Sequence, residues 1–280
     1  MRLDRQRLVQ VGVAVLVAIL AAVFGLSGGG SKDAPSSGST ASINDEGPAA
    51  APASADTSPA VAETTPAVKA SMPSASKPAV PVSTGDFDYF LLVLSWSPTH
   101  CSSDAGRGRD DDLQCRSGRP YGFVLHGLWP QNERGWPEHC DSQERQVSAS
   151  NMRAALKLSP SEKLVEHEWE KHGTCAGLSQ DDYFAAAALA VDSVKVPAPF
   201  QAPAKPLVTT ADEVRRQFLQ ANRGFPNDGI SATCNRNELS EVWVCLDKGL
   251  QPRSCSAEVR RKHCGGRQVR MLSVRGDWPR

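Results

Sequence analysis

Two short segments concentrate the side chains able to do chemistry. The first is Phe123-Val124-Leu125-His126-Gly127-Leu128-Trp129-Pro130, and the second is His167-Glu168-Trp169-Glu170-Lys171-His172-Gly173-Thr174-Cys175. Together they hold three of the six histidines, with carboxylates, a lysine and two tryptophans. Two imidazoles facing each other across a phosphodiester can serve as base and acid, because an ordinary pKa of ~6.5 populates both forms near neutrality. A lysine and a carboxylate can stabilise a crowded, charged phosphorane, and Trp129 can stack on a base. These residue types therefore suit acid–base chemistry on a phosphodiester.

The elements that must position them are legible. Ser159-Pro160-Ser161-Glu162 carries helix-start signals, with Ser159 as cap, Pro160 at the first helical position and Glu162 completing a capping box. Gly173 is a natural stop, so residues 160–172 are expected on one helix. There Glu168 and His172 are four apart and share a face, and His167 and Lys171 share the next. Tyr121–Leu125 reads as a strand delivering His126 at its end. The apolar run Phe87–Leu94 reads as a strand buried on both faces, with further strands at Leu239–Leu246 and Gln268–Val274. Helices are expected at Asp181–Lys195 and from Thr210 to near Gly224, with a proline-rich loop at 196–206. Strands and helices do not alternate regularly, which favours α+β over a doubly wound sheet.

Simpler readings compete with the catalytic one. His100, His139 and His263 read as ordinary surface histidines. Trp169 reads as core. Glu168 and Lys171 could form a surface pair worth only ~0.5 kcal/mol. By residue chemistry alone both readings stay open. A zinc site fits poorly, since His167 and His172 are five residues apart, roughly 140° around a helix, rather than one turn.

Composition divides the chain. Residues 27–85 are mostly Ala, Ser, Pro, Gly and Thr, with eight prolines, and cannot bury enough apolar surface to offset ordering. They read as a disordered linker. Residues 86–280 carry all the aromatics but Phe24 and all eight cysteines, and are long enough for one core. Before the linker, Arg2, Arg5 and Arg7 precede an almost uncharged run from Leu8 to Leu26, the pattern of an export signal. Residues 1–26 fit an uncleaved signal-anchor, with the membrane as partner, or a cleaved signal peptide. The run is just short of the ~20 residues of a typical span. Either way the folded part is expected to be exported, periplasmic or extracellular. Eight cysteines with no C-x-x-C spacing, in an exported chain, favour disulfides, with ~105 possible connectivities. Lys plus Arg and Asp plus Glu are 31 each, six of each before Asp86. A neutral domain argues against a nucleic-acid coat protein, whose affinity needs many phosphate contacts. It does not argue against an enzyme that grips one phosphate.

The two segments resemble the active-site motifs of the ribonuclease T2 family, F-x-L-H-G-L-W-P and H-E-W-x-K-H-G-T-C. The second is matched at every fixed position from His167 to Cys175. Leu94-Ser95-Trp96-Ser97-Pro98 and Trp136-Pro137-Glu138-His139-Cys140 are similar to further segments of that family, and the likeness covers most of residues 86–280. It implies an α+β fold, a central antiparallel sheet with several flanking helices, stabilised by disulfides. It implies an endoribonuclease with broad base tolerance that needs no metal or other cofactor, acts on single-stranded RNA and is monomeric. His172 would be the general base and His126 the general acid. Glu168 and Lys171 would stabilise the transition state, His167 would bind phosphate, and Trp129 would stack on a base. The product would be a 2′,3′-cyclic phosphate, later opened to a 3′-phosphate. The pairing implied is Cys140–Cys175, Cys234–Cys264, Cys245–Cys255 and Cys101–Cys115, each bridge worth on the order of 2–4 kcal/mol. Gln131 departs from the pattern, standing where some members carry an acidic residue that helps read the base. An alternative is a non-catalytic RNA-binding or interaction protein on the same fold, although such a protein would normally have lost His126 or His172.

Overall fold

The computed structural model describes residues 79–106 and 112–276. The expected signal or anchor at 1–26 and the linker up to residue 78 lie outside the described residues. Among the described residues no helix is long and apolar enough to cross a membrane. These residues form six strands: β1 (Tyr89–Trp96), β2 (Phe123–Gln131), β3 (Leu207–Thr210), β4 (Ile230–Asn235), β5 (Glu238–Leu246) and β6 (Gln268–Met271). They also form six α-helices: α1 (Ser97–Ser102), α2 (Ala149–Ala155), α3 (Glu162–Lys171), α4 (Gln180–Ser193), α5 (Ala211–Ala221) and α6 (Ala257–Arg261).

The strands make one sheet in the order β2–β1–β5–β6–β3, with β4 also paired to β5. Every pairing is antiparallel except β5–β6, which meet in parallel at Glu238 and Arg270. The expected α+β fold with an antiparallel centre is found, with that one parallel contact added.

Side chains alternate across a strand, so a strand with both faces covered reads as a continuous apolar run. β1 shows this directly. Phe90, Leu92, Leu94 and Trp96 join the main core with Trp169, Tyr183 and Phe218. Tyr89, Leu91 and Val93 join a smaller cluster with Cys245, Cys255 and Val259, against which Trp129 and Trp243 pack. This smaller cluster floors the candidate site. Fully burying one such side chain is worth about 1.5–3 kcal/mol.

The structure corrects two expectations about how the site is delivered. First, β2 does not end before His126. It runs on to Gln131, and its Pro130 is tolerated because β2 lies at the sheet edge, where a missing N–H breaks no ladder. The β1–β2 register passes from Val93↔Gly127 to Leu94↔Leu125, so His126 is the extra residue of a β-bulge. A bulge re-aims the side chain it inserts, which is how a mid-strand histidine comes to face the site. Second, α3 is capped by Ser161, whose hydroxyl accepts from the Leu164 amide at 3.3 Å, and not by Ser159. The Leu158 carbonyl accepts from the Leu125 amide at 2.9 Å. That bond ties the preceding segment to β2 and keeps it out of the helix.

Four disulfides join Cys101–Cys115, Cys140–Cys175, Cys234–Cys264 and Cys245–Cys255, the pairing the family resemblance implies. The Cys140–Cys175 bridge and the His139 amide, donating to the Lys171 carbonyl at 2.8 Å, hold the 136–140 segment on the end of α3. Just before Asp86, the Ser83 hydroxyl donates to the Ala176 carbonyl at 2.7 Å, and Val80 packs against the core. His263 is not the surface residue its isolation suggested. Its side chain is 11% exposed and lies 2.9 Å from both the Ala232 amide and Asp212 Oδ1, linking β4 to the start of α5.

Candidate active site

A cleft of about 300 Å³ brings the two chemical segments together. His126 and Trp129 come from β2, and His167, Glu168 and Lys171 from α3, with His172 capping that helix. All six candidate side chains line this one cleft. The pattern follows helix spacing. Glu168 and His172 share the buried face, while His167 and Lys171 sit toward solvent. Trp169 points into the core, 2% exposed, as its setting predicts.

Glu168 is the hub. Its carboxylate accepts from the Trp129 indole N–H at 2.5 Å, and the His126 Nε2 lies 3.4 Å from its other oxygen. Gly127 makes room for this. A Cβ there would collide with the Glu168 carboxylate and the Trp129 indole nitrogen. The close approach therefore requires glycine between the histidine and the tryptophan. Trp129 stacks on the His172 ring with centroids 4.9 Å apart, and meets His126 edge-on at 5.1 Å. One indole thus spaces the two imidazoles. Lys171 Nζ lies 3.7 Å from a Glu138 carboxylate oxygen, a contact supplied by the disulfide-held 136–140 segment.

The two imidazoles meet opposite electrostatic environments. Burial disfavours the charged form of His126. Hydrogen bonds to Glu168 and Glu241, and their negative charges, outweigh it, so the pKa rises from 6.5 to about 10. His172 is lowered to about 4, first by burial, which outweighs an opposing pull from the Glu168 charge, and then by the positive charges of Lys171, His126 and His167. Its Nδ1 is buried with no hydrogen-bond partner among the described residues. At neutral pH His126 is thus charged and His172 neutral.

Sequence reasoning missed several residues that line the cleft or stand behind it. Glu241, on β5, lies 2.6 Å from His126 Nδ1. Its signal was a single carboxylate inside the apolar strand Leu239–Leu246, where a charge needs a partner. Trp136, Trp243, Val259 and Lys262 also line the cleft. Trp243 and Val259 arrive from β5 and α6, and the Cys245–Cys255 bridge ties β5 to the residue before the α6 cap; nothing in the local sequence marks them. His100 and His139, by contrast, lie outside the cleft lining.

The chain is similar to known proteins. Residues 87–255 match the model of the ribonuclease T2 family. A ribonuclease of Aeromonas hydrophila is 39% identical over 200 residues, covering 68% of this chain and 88% of the relative. A probable ribonuclease of Haemophilus influenzae is 33% identical over 181 residues, covering 61% and 62% respectively. Among solved structures, an RNase-related protein from Calystegia sepium superposes with a TM-score of 0.51 at 22% identity, over 66% of this chain and 97% of that one, a likeness of fold. The family model spans both chemical segments and most of the sheet, so the chain belongs to the ribonuclease T2 family and is a ribonuclease T2-type enzyme.

Proposed function

We propose that the protein is an exported endoribonuclease that cuts single-stranded RNA by transphosphorylation. In the first step, neutral His172 takes the proton from the 2′-OH while the 2′-oxygen bonds to phosphorus. The P–O5′ bond breaks, and protonated His126 gives its proton to the leaving oxygen. Glu168 and Lys171 face the charge that develops on the phosphorane, and His167 holds a phosphate oxygen. The products are a 2′,3′-cyclic phosphate and a 5′-OH. In the second step water opens the ring to a 3′-phosphate with the two histidines exchanging roles. DNA lacks the 2′-OH and is not a substrate. The nucleophile and both proton carriers are supplied without a metal ion.

The observation that supports this reading is the pair of imidazoles lining one cleft with opposite protonation states at neutral pH. The acid assigned to His126 is already charged, and the base assigned to His172 is already neutral. Trp129, with Trp136 and Trp243, offers flat faces on which any base can stack, which favours broad base tolerance. The Gln131 amide donates to its neighbour's carbonyl at 3.1 Å, which leaves it less free to select a base.

The test is cleavage of a defined RNA by the oxidised protein in excess EDTA, with the ends resolved. The expected ends carry 2′,3′-cyclic phosphate first and 3′-phosphate later. No cleavage by a folded sample at any pH from about 4 to 8 would overturn the reading in favour of a non-catalytic RNA-binding protein.

A further inference from the structure

The Nδ1 face of His126 is occupied by a carboxylate that lies outside both active-site segments. Glu241 sits on β5, directly across from Ser95 of β1. Its side chain is 16% exposed. One oxygen lies 2.6 Å from His126 Nδ1 and accepts from the Ser95 hydroxyl at 3.4 Å. The other accepts from the Trp243 indole N–H at 2.8 Å. No lysine or arginine pairs with it among the described residues, so the cation against this buried charge is His126 itself. A buried carboxylate without a cation is costly. The charge of Glu241 and that of His126 therefore maintain one another. Burial alone would raise the Glu241 pKa, yet it is held low by the hydrogen bond and charge of His126.

We propose that Glu241 is a positioning residue for the general acid: by accepting from Nδ1 it fixes the bulged imidazole, turns Nε2 to the leaving oxygen and keeps the ring charged until it donates. The proposal rests on the acid role given to His126 above. The groups around that ring are Glu168, Lys171, His167 and His172 from α3 and its cap, Glu241 from β5, and His100 of α1, which lines a small cavity on the Glu241 side. Glu168 belongs to the cleft and faces the reacting phosphate, whereas Glu241 touches only the far edge of the imidazole, with Ser95 and Trp243. A carboxylate behind a histidine that sets ring orientation and steadies the imidazolium is a general device.

The experiment uses the full chain as wild type, Glu241→Gln, Glu241→Asp and His126→Ala. Each is assayed on a dinucleoside monophosphate, whose alkoxide leaving group needs a proton, and on a ribonucleoside 3′-nitrophenyl phosphate, whose leaving group needs none. His126→Ala should lose about a hundredfold or more on the dinucleotide and far less on the aryl ester. Glu241→Gln should lose about tenfold or more on the dinucleotide at mildly alkaline pH and stay within about threefold on the aryl ester. The alkaline limb of its kcat/KM profile should move at least about one pH unit toward neutrality. Glu241→Asp keeps the charge and should retain a limb close to wild type. If Glu241→Gln falls equally on both substrates with the limb unmoved, or if aspartate fails to restore the limb, Glu241 is merely structural and the proposal falls. If His126→Ala itself loses as much on the aryl ester, His126 is not the acid, and the reading beneath the proposal falls with it.

Discussion

His126 and His172 line the same cleft, yet the protein treats them oppositely. His126 sits between two carboxylates, Glu168 at one ring nitrogen and Glu241 at the other. His172 lies against the Trp129 ring, 4% exposed, with the positive charges of Lys171, His126 and His167 nearby and Glu168 opposing them. The first environment raises the pKa to about 10 and the second lowers it to about 4. Two identical side chains thus take opposite protonation states near neutrality through what each element brings beside them, as the proposed acid and base require. The bulge in β2 carries one into a carboxylate pair, and the end of α3 carries the other under an indole. An acid and a base with separated pKa values allow both correct forms to coexist over a wide pH range.

The sharpest way to break this comparison is to remove either ring. His126→Ala and His172→Ala should each lower kcat/KM on RNA by about a thousandfold or more, with folding retained by circular dichroism. Loss in one variant only would mean that the two are not a pair. Next comes the group they share. Glu168→Gln should lower turnover by about ten- to a hundredfold, since the amide keeps the contact with Trp129 but loses the charge that the proposed mechanism sets against the phosphorane. Steady-state rates on a dinucleotide would show it.

The comparison also predicts how stability responds to pH. His126 has its pKa raised by folding. Its contribution is full below the unfolded value of ~6.5 and is lost as pH rises toward about 10. His172 has its pKa lowered. The unfolded chain takes up its proton first, so stability is lost as pH falls from ~6.5 toward about 4. Melting temperature should therefore decline on both sides of neutrality, and His172→Ala should flatten the acid side between those values. An unchanged acid slope would contradict the depressed pKa.

The smallest effect on turnover is expected at His263, a histidine used for architecture. Its bonds to Ala232 and Asp212 lie away from the cleft lining. His263→Ala should lower the melting temperature by a few degrees, the result of losing about 1–2 kcal/mol of buried hydrogen bonding, and leave kcat within about twofold of wild type. A larger kinetic loss would show that β4 and α5 control the site from a distance.

The candidate site was legible because much of it is local in sequence. Helical spacing alone places Glu168 with His172 and His167 with Lys171, and β1 announced its two buried faces through an unbroken apolar run. The cap at Ser161 was misread as Ser159 because Ser-Pro-Ser-Glu supports either register locally. The Leu125–Leu158 hydrogen bond, a contact between distant segments, selects one. β3 and β4 escaped notice because Leu207–Thr210 and Ile230–Asn235 are short and polar-rich, and their pairing with β6 and β5 gives them their strand character.

By itself the sequence determined which side chains are available for the reaction, the spacing that sets four of them around one helical end, and an even set of cysteines. Only the tertiary structure decided which imidazole is charged near neutrality and which is neutral, the states that the proposed acid and base need. Protonation depends on burial and on charges within a few ångströms, and for His126 on β2 those charges come from α3 and β5, far away in the chain. Glu241 lies 115 positions from the histidine it holds. The bulge that turns His126 toward it exists only when β2 is laid in register against β1.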